Sequence, residues 1–143
     1  MSQYSGGQAS MRFQGKDLRR FDRMAAKLAV RILIVDDHLE IVAEQAGWTV
    51  DLSQGGAAVL VAEEIPAGMK VAFFRPFTDD DQVFLAEVRH ARMIDGQWWR
   101  LGLQWLAFPT QAQRKAWEGS IRPESVGAGP RPSDAVFAAA ASD

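Results

Sequence analysis

Two short runs hold the side chains best suited to chemistry. Arg19-Arg20-Phe21-Asp22-Arg23 sets two arginines four residues apart with a third between them. A guanidinium is planar, always charged and a fixed fork of donors. It can grip phosphate oxygens bidentately, or lie against a purine while donating to O6 and N7. The second run, Asp51-Leu52-Ser53-Gln54-Gly55-Gly56, supplies a carboxylate, a hydroxyl and two glycines within six positions. A carboxylate there can accept the N1 and N2 hydrogens of guanine, while the hydroxyl and exposed backbone N–H groups can take phosphate. Glycine lets the backbone turn closely and approach a ligand. Together these residues can hold a small, anionic, base-bearing ligand. No nucleophile–base pair or metal set accompanies them, so the chain reads as a binder and not as an enzyme.

The elements that must position these runs are mostly strands. Leu28–Val35 is apolar and β-branched, and Asp36, Asp37 and His38 form a polar break after it. Leu39–Ala43, Trp48–Leu52, Ala57–Ala62, Met69–Phe74, Gln82–Met93 and Gln97–Leu106 follow as further strand runs, with Gly47 opening the second of them. Turns rich in Gly, Pro and Asp join them, and Asp95-Gly96 has the composition of a hairpin turn. Strands at this spacing predict a small antiparallel barrel. One helix is expected after it, with Thr110 as N-cap of Gln111–Glu118 and Gly119 ending it. Ala112, Ala116 and Trp117 would pack on the barrel. Residues 1–10 read as disordered, 11–119 as the folded domain, and 120–143 as a flexible tail without the large apolar residues needed to offset ordering.

Composition narrows the function classes. The 143 residues carry no cysteine, a net charge of −2 and 24% charged residues, which removes disulfide scaffolds and thiolate sites. No apolar run is long enough to span a bilayer, and MSQYSGGQAS lacks a signal-peptide core, so a cytoplasmic location is expected. Residues 1–31 hold seven cations against Asp17 and Asp22, leaving the remainder acidic. That pattern suits a cationic arm for a small anion and disfavours long nucleic acid. Twelve of the sixteen cations are arginine.

Other signals have simpler readings. Asp79–Asp81 is a solvated loop tip, because three consecutive side chains cannot all face one ion. His38 and His90 show no ligand spacing. Trp48, Trp98, Trp99 and Trp105 could stack single-stranded nucleic acid, but period-2 alternation turns some of them into the core. Arg31-Ile-Leu-Ile-Val-Asp36-Asp37 looks like the first strand and acidic pair of a receiver domain, a phosphoacceptor signalling module. The expected βαβ alternation does not follow it.

The spacing RxxxR, then DxSxxG beginning 28 residues after the second arginine, resembles the PilZ domain family of bacterial cyclic di-GMP receptors. The resemblance spans about residues 17–119 and includes Arg100-Leu101-Gly102-Leu103-Gln104-Trp105, similar to the family's closing strand. It implies a six-stranded antiparallel PilZ-type β-barrel with a C-terminal helix, all-β in class. Arg19 and Arg23 would then engage guanine and phosphate, with Arg20 as an added phosphate contact. Asp51 would take a guanine edge, Ser53 a phosphate or base, and Gly56 the turn. His90 falls near an aromatic position that lines the family's site and could stack on a base. Leu18 stands where many members have another arginine, which points to one ligand per chain. The ligand would order the arm, and the effect would pass through an effector protein, for example of motility or exopolysaccharide machinery. No other cofactor is implied.

Overall fold

The computed structural model describes residues 27–75, 82–121, 126–127 and 129–141. Arg19, Arg20, Arg23, residues 1–10 and Asp79–Asp81 therefore lie outside the described residues. Six strands are described: β1 (Ala29–Val35), β2 (Ile41–Leu52), β3 (Gly56–Val61), β4 (Lys70–Arg75), β5 (Gln82–Ile94) and β6 (Trp98–Leu106). They close into a barrel in the order β1-β2-β3-β6-β5-β4, every pair antiparallel and β4 returning to β1. Closure removes the free sheet edges that short antiparallel strands would otherwise expose.

The strand runs read as nearly continuous apolar stretches because much of the barrel wall is covered on both faces. Val30, Ile32, Leu52, Val59, Val61, Val71, Phe73, Val88 and Leu101 fill the interior. On the outside, Leu33, Val35, Ala72, Phe74 and Leu85 form a second cluster around Trp117 of helix α1 (Gln111–Ser120). A third outer cluster joins Val50, Ala58, Leu60, Ile94 and Trp98 to helix α2 (Asp134–Ala141).

Several local expectations hold in detail. Thr110 caps α1 by accepting from the Gln113 N–H at 3.0 Å. Asp95 and Gly96 both have positive φ, 56° and 72°, as a tight hairpin turn with the right-handed strand twist requires. Others differ. The helix runs through Gly119 to Ser120, and Ile121 ends it by adopting an extended conformation. Ala112 and Ala116 are exposed, and of the three residues expected to pack only Trp117 is buried. The two runs read as separate strands around Gly47 are one twelve-residue strand, β2. Gly47 is not a break: a Cβ there would lie 3.2 Å from Ile32 and 3.3 Å from Val30, so the glycine fits β2 against the inner side chains of β1.

The largest correction concerns the flexible tail. Within 120–143, Asp134–Ala141 is helical and docks on the barrel with Val136, Phe137 and Ala140 buried. Ser133 starts the helix, its hydroxyl accepting from the Val136 N–H at 3.2 Å. The composition of the tail is poor in large apolar residues, but the apolar area that pins it belongs to the receiving face, chiefly Trp48 and Trp98. Burial is a property of both partners.

Candidate functional site

The geometry begins where β2 ends. The β2–β3 register slips between Thr49 and Asp51, so Val50 is an extra residue in the ladder. Val50 turns under α2, Asp51 opposes Ala58 and is exposed, and Leu52 is buried inside the barrel. The slip thus decides that the carboxylate faces out beside an apolar patch.

Ser53 then closes the turn. Its N–H donates to the Gly56 carbonyl at 2.8 Å, and its hydroxyl both donates to that carbonyl and accepts from the Gly56 N–H, each at 3.3 Å. One hydroxyl lone pair remains for a ligand donor. Gly56 is required for packing: a Cβ would fall 1.7 Å from the Leu103 carbonyl oxygen. Gly55 has open space around it. Trp105 anchors the turn twice, its backbone N–H donating to Gly55 O and its indole N–H to Ser53 O, both at 3.0 Å. The indole is held in turn by Phe73 and Phe84, at 5.4 and 5.5 Å between ring centroids.

From Asp51, one row crosses the barrel wall. Asp51 pairs with Ala58, Ala58 with Gly102, and Gly102 with His90. Three strand spacings put His90 roughly 14 Å from Asp51. The residues between are small: Ala58 is buried beneath α2 and Gly102 is half-buried. A second register slip, between Val88 and His90, aims the imidazole. It lies over Gly102, where a Cβ would come within 2.2 Å of Nε2. The exposed His90 ring occupies the space that a side chain at 102 would take. Beside it, Arg89 donates to the Gln104 amide oxygen at 2.7 Å.

The structure therefore leaves Asp51, Ser53 and His90 exposed, while Gly56 is buried against β6. The sequence places Gly102 and Trp105 in the closing strand but does not reveal their supporting roles. A glycine inside an otherwise apolar strand was the available signal for the first. Nothing local announces the indole-to-Ser53 bond across 52 positions.

The Asp36 carboxylate accepts from the N–H groups of His38 (2.8 Å) and Glu40 (2.9 Å), closing the β1–β2 turn. Those bonds, Glu40's first, hold its pKa below the ordinary 3.8. With β1 antiparallel to both its neighbours, this is a turn cap in a barrel and not the acidic pair of a receiver. Trp98 and Trp117 are buried, and Trp48, Trp99 and Trp105 are half-buried, so they do not form an exposed stacking row. Among the described residues no three His, Asp or Glu side chains converge as a metal set would, and no helix is long and apolar enough to cross a membrane. A separate groove of about 350 Å³ lies between β2 and residues 62–66, lined by Trp48, Ile65 and Met69 and bordered by Glu63 and Glu64. It includes none of the four site residues.

The sequence profile of the PilZ domain matches residues 17–119. No curated protein and no solved structure matches the chain. The profile covers most of the 143 residues, both motif runs fall inside it, and the closed six-stranded barrel with its following helix is the fold it implies. The chain belongs to the PilZ domain family, a family of cyclic di-GMP receptors.

Proposed function

We propose that the chain binds cyclic di-GMP and acts as a receptor, passing the signal to a partner protein without catalysis. The observation that carries this reading is the β2–β3 turn. Asp51, near the end of β2, heads a row of small residues that ends under His90, and Ser53 follows it in a turn pinned by Trp105. Asp51 would accept the N1 and N2 hydrogens of a guanine, Ser53 would accept one further donor, and His90 would stack on a base. Arg19 and Arg23 would close over guanine and phosphate from the arm, with Arg20 adding a phosphate contact. Gly56 keeps the turn in register.

The magnitudes are consistent with a signalling affinity. A charge-assisted hydrogen bond contributes roughly 1.5–3 kcal/mol net. Four or five of them, less the cost of ordering an arm, leave about 8 kcal/mol, which corresponds to micromolar binding. The reading places the protein in the cytoplasm, where the second messenger is found, with the acidic remainder of the chain turning away long nucleic acid. Calorimetric titration with cyclic di-GMP tests it: saturable heat with one ligand per chain is expected, and no heat at ~100 μM ligand would overturn it.

A further inference from the structure

Helix α2 is a slight element on a valuable surface. Its eight residues are too few for a helix to persist alone in water, and three of its side chains are buried. The face beneath it holds Trp48, Val50, Leu60, Ile94 and Trp98. Two tryptophans among aliphatic residues are the composition of an interface centre, not of an idle exterior.

Three contacts tie this helix to the candidate ligand site. Ala58, the residue opposite Asp51 in the site row, is packed in the same cluster as Val136, Phe137 and Ala140. Arg100, two residues before Gly102, donates through Nε to the Ala140 carbonyl at 2.9 Å. Lys27, four residues after Arg23, lies 3.6 Å from the Asp134 carboxylate and 5.8 Å from the centre of the Phe137 ring. Lys27 also has a φ of 67°, a left-handed conformation that a lysine rarely adopts, just before β1. A ligand that filled the row at Ala58 would press on α2, because Ala58 is packed against it.

We propose that α2 is an intramolecular placeholder on a partner-docking surface, and that cyclic di-GMP binding releases it. The proposal rests on the receptor reading above and names what that receptor would present. The occupant already in place defines the partner's chemistry: a short apolar helix with an acidic residue in its first turn and an aliphatic–aromatic face. Asp134 shows where the acid sits, between Lys27 and Arg131, with Arg131 3.7 Å away. Phe137 shows the aromatic seat, with the Arg131 guanidinium 5.1 Å from its ring and 5.5 Å from that of Trp48. A partner helix of this kind would replace α2 contact for contact.

Hydrogen exchange on the full chain, run beside the calorimetric titration, tests the release. Saturating cyclic di-GMP should speed exchange of the 134–141 amides at least tenfold while the barrel strands stay protected. Heat of binding with unchanged α2 protection would overturn the release mechanism and leave the receptor reading standing. Absence of heat would overturn the receptor reading, and ligand-driven release with it. The docking surface has its own arm, using a labelled synthetic peptide of residues 130–141 as probe. It should bind the Phe137→Ala chain without ligand and the unaltered chain at least tenfold more weakly. Failure to bind Phe137→Ala, with its barrel intact by circular dichroism, would overturn the docking surface. Asp134→Ala, which alters only an exposed position, should accelerate exchange in α2 without touching the core, and an unchanged rate there would count against the latch.

Discussion

The indole N–H of Trp105 donates to the carbonyl oxygen of Ser53 at 3.0 Å, linking the last strand of the barrel to the turn that presents the candidate ligand residues. The ring itself rests on Phe73 and Phe84. The aromatic core therefore holds the turn in place from below. Trp105→Phe keeps most of the packing and removes the bond, so stability should fall by about 0.5–1.5 kcal/mol. Urea unfolding measures that loss. A titration of the same variant should show weaker binding of cyclic di-GMP, because Asp51 and Ser53 lose a fixed support.

Adjacent glycines offer an internal control. Gly56→Ala forces a methyl into the Leu103 carbonyl, and backbone cannot give way as a side-chain tip could. The β3–β6 pairing must shift, at a cost of roughly 1–3 kcal/mol or more. Gly55→Ala meets open space and should stay within about 0.5 kcal/mol of the parent. Equal unfolding midpoints for the two variants would contradict this account of the turn.

His90 and Gly102 should behave as a coupled pair. Gly102→Ala places a methyl where the imidazole lies, so the ring must swing away. The substitution should destabilise the parent more than it destabilises a His90→Ala background. A double-mutant cycle should therefore show coupling of about 0.5 kcal/mol or more. If His90 stacks on a base, Gly102→Ala should also weaken ligand binding.

The motif arginines and Asp51 are expected to dominate affinity. Arg19→Ala and Arg23→Ala should each weaken cyclic di-GMP binding by one to two orders of magnitude, as loss of a charge-assisted contact requires. Asp51→Ala should cost a similar factor and leave thermal stability nearly unchanged, because the side chain is exposed. Calorimetry checks all three. Unaltered affinity in the arginine variants would remove the arm from the site.

Acid should act on the β1–β2 turn through Asp36. Its carboxylate accepts from the Glu40 and His38 N–H groups, and its folded pKa is depressed below the ordinary 3.8. The stabilisation is therefore complete above the unfolded value and is lost as pH falls through the folded one. Asp36→Asn should lessen this acid-dependent loss and leave stability near neutral pH less affected than Asp36→Ala does. Thermal melts between pH 3 and pH 7 measure both (roughly the span over which a carboxylate near 4 titrates).

Strand runs, the Asp95-Gly96 turn, the Thr110 cap and the RxxxR and DxSxxG spacing were legible in the amino-acid sequence. Each depends on residues within a few positions of one another: β-branched runs, left-handed turn residues, a capping hydroxyl. The six-stranded antiparallel barrel followed from those elements together with the family resemblance, and its strand order came from the structure. Tertiary structure alone decided what depends on register and on a second surface. Gly47 reads as a break until Val30 and Ile32 are seen against it. Val50 and Asp51 point as they do because the β2–β3 ladder slips by one residue, which reverses which side chains face out. Residues 134–141 look like an unstructured tail until Trp48 and Trp98 offer them apolar area to bury. Local chemistry is written in order along the chain, but burial requires two partners, and only the folded barrel brings them together.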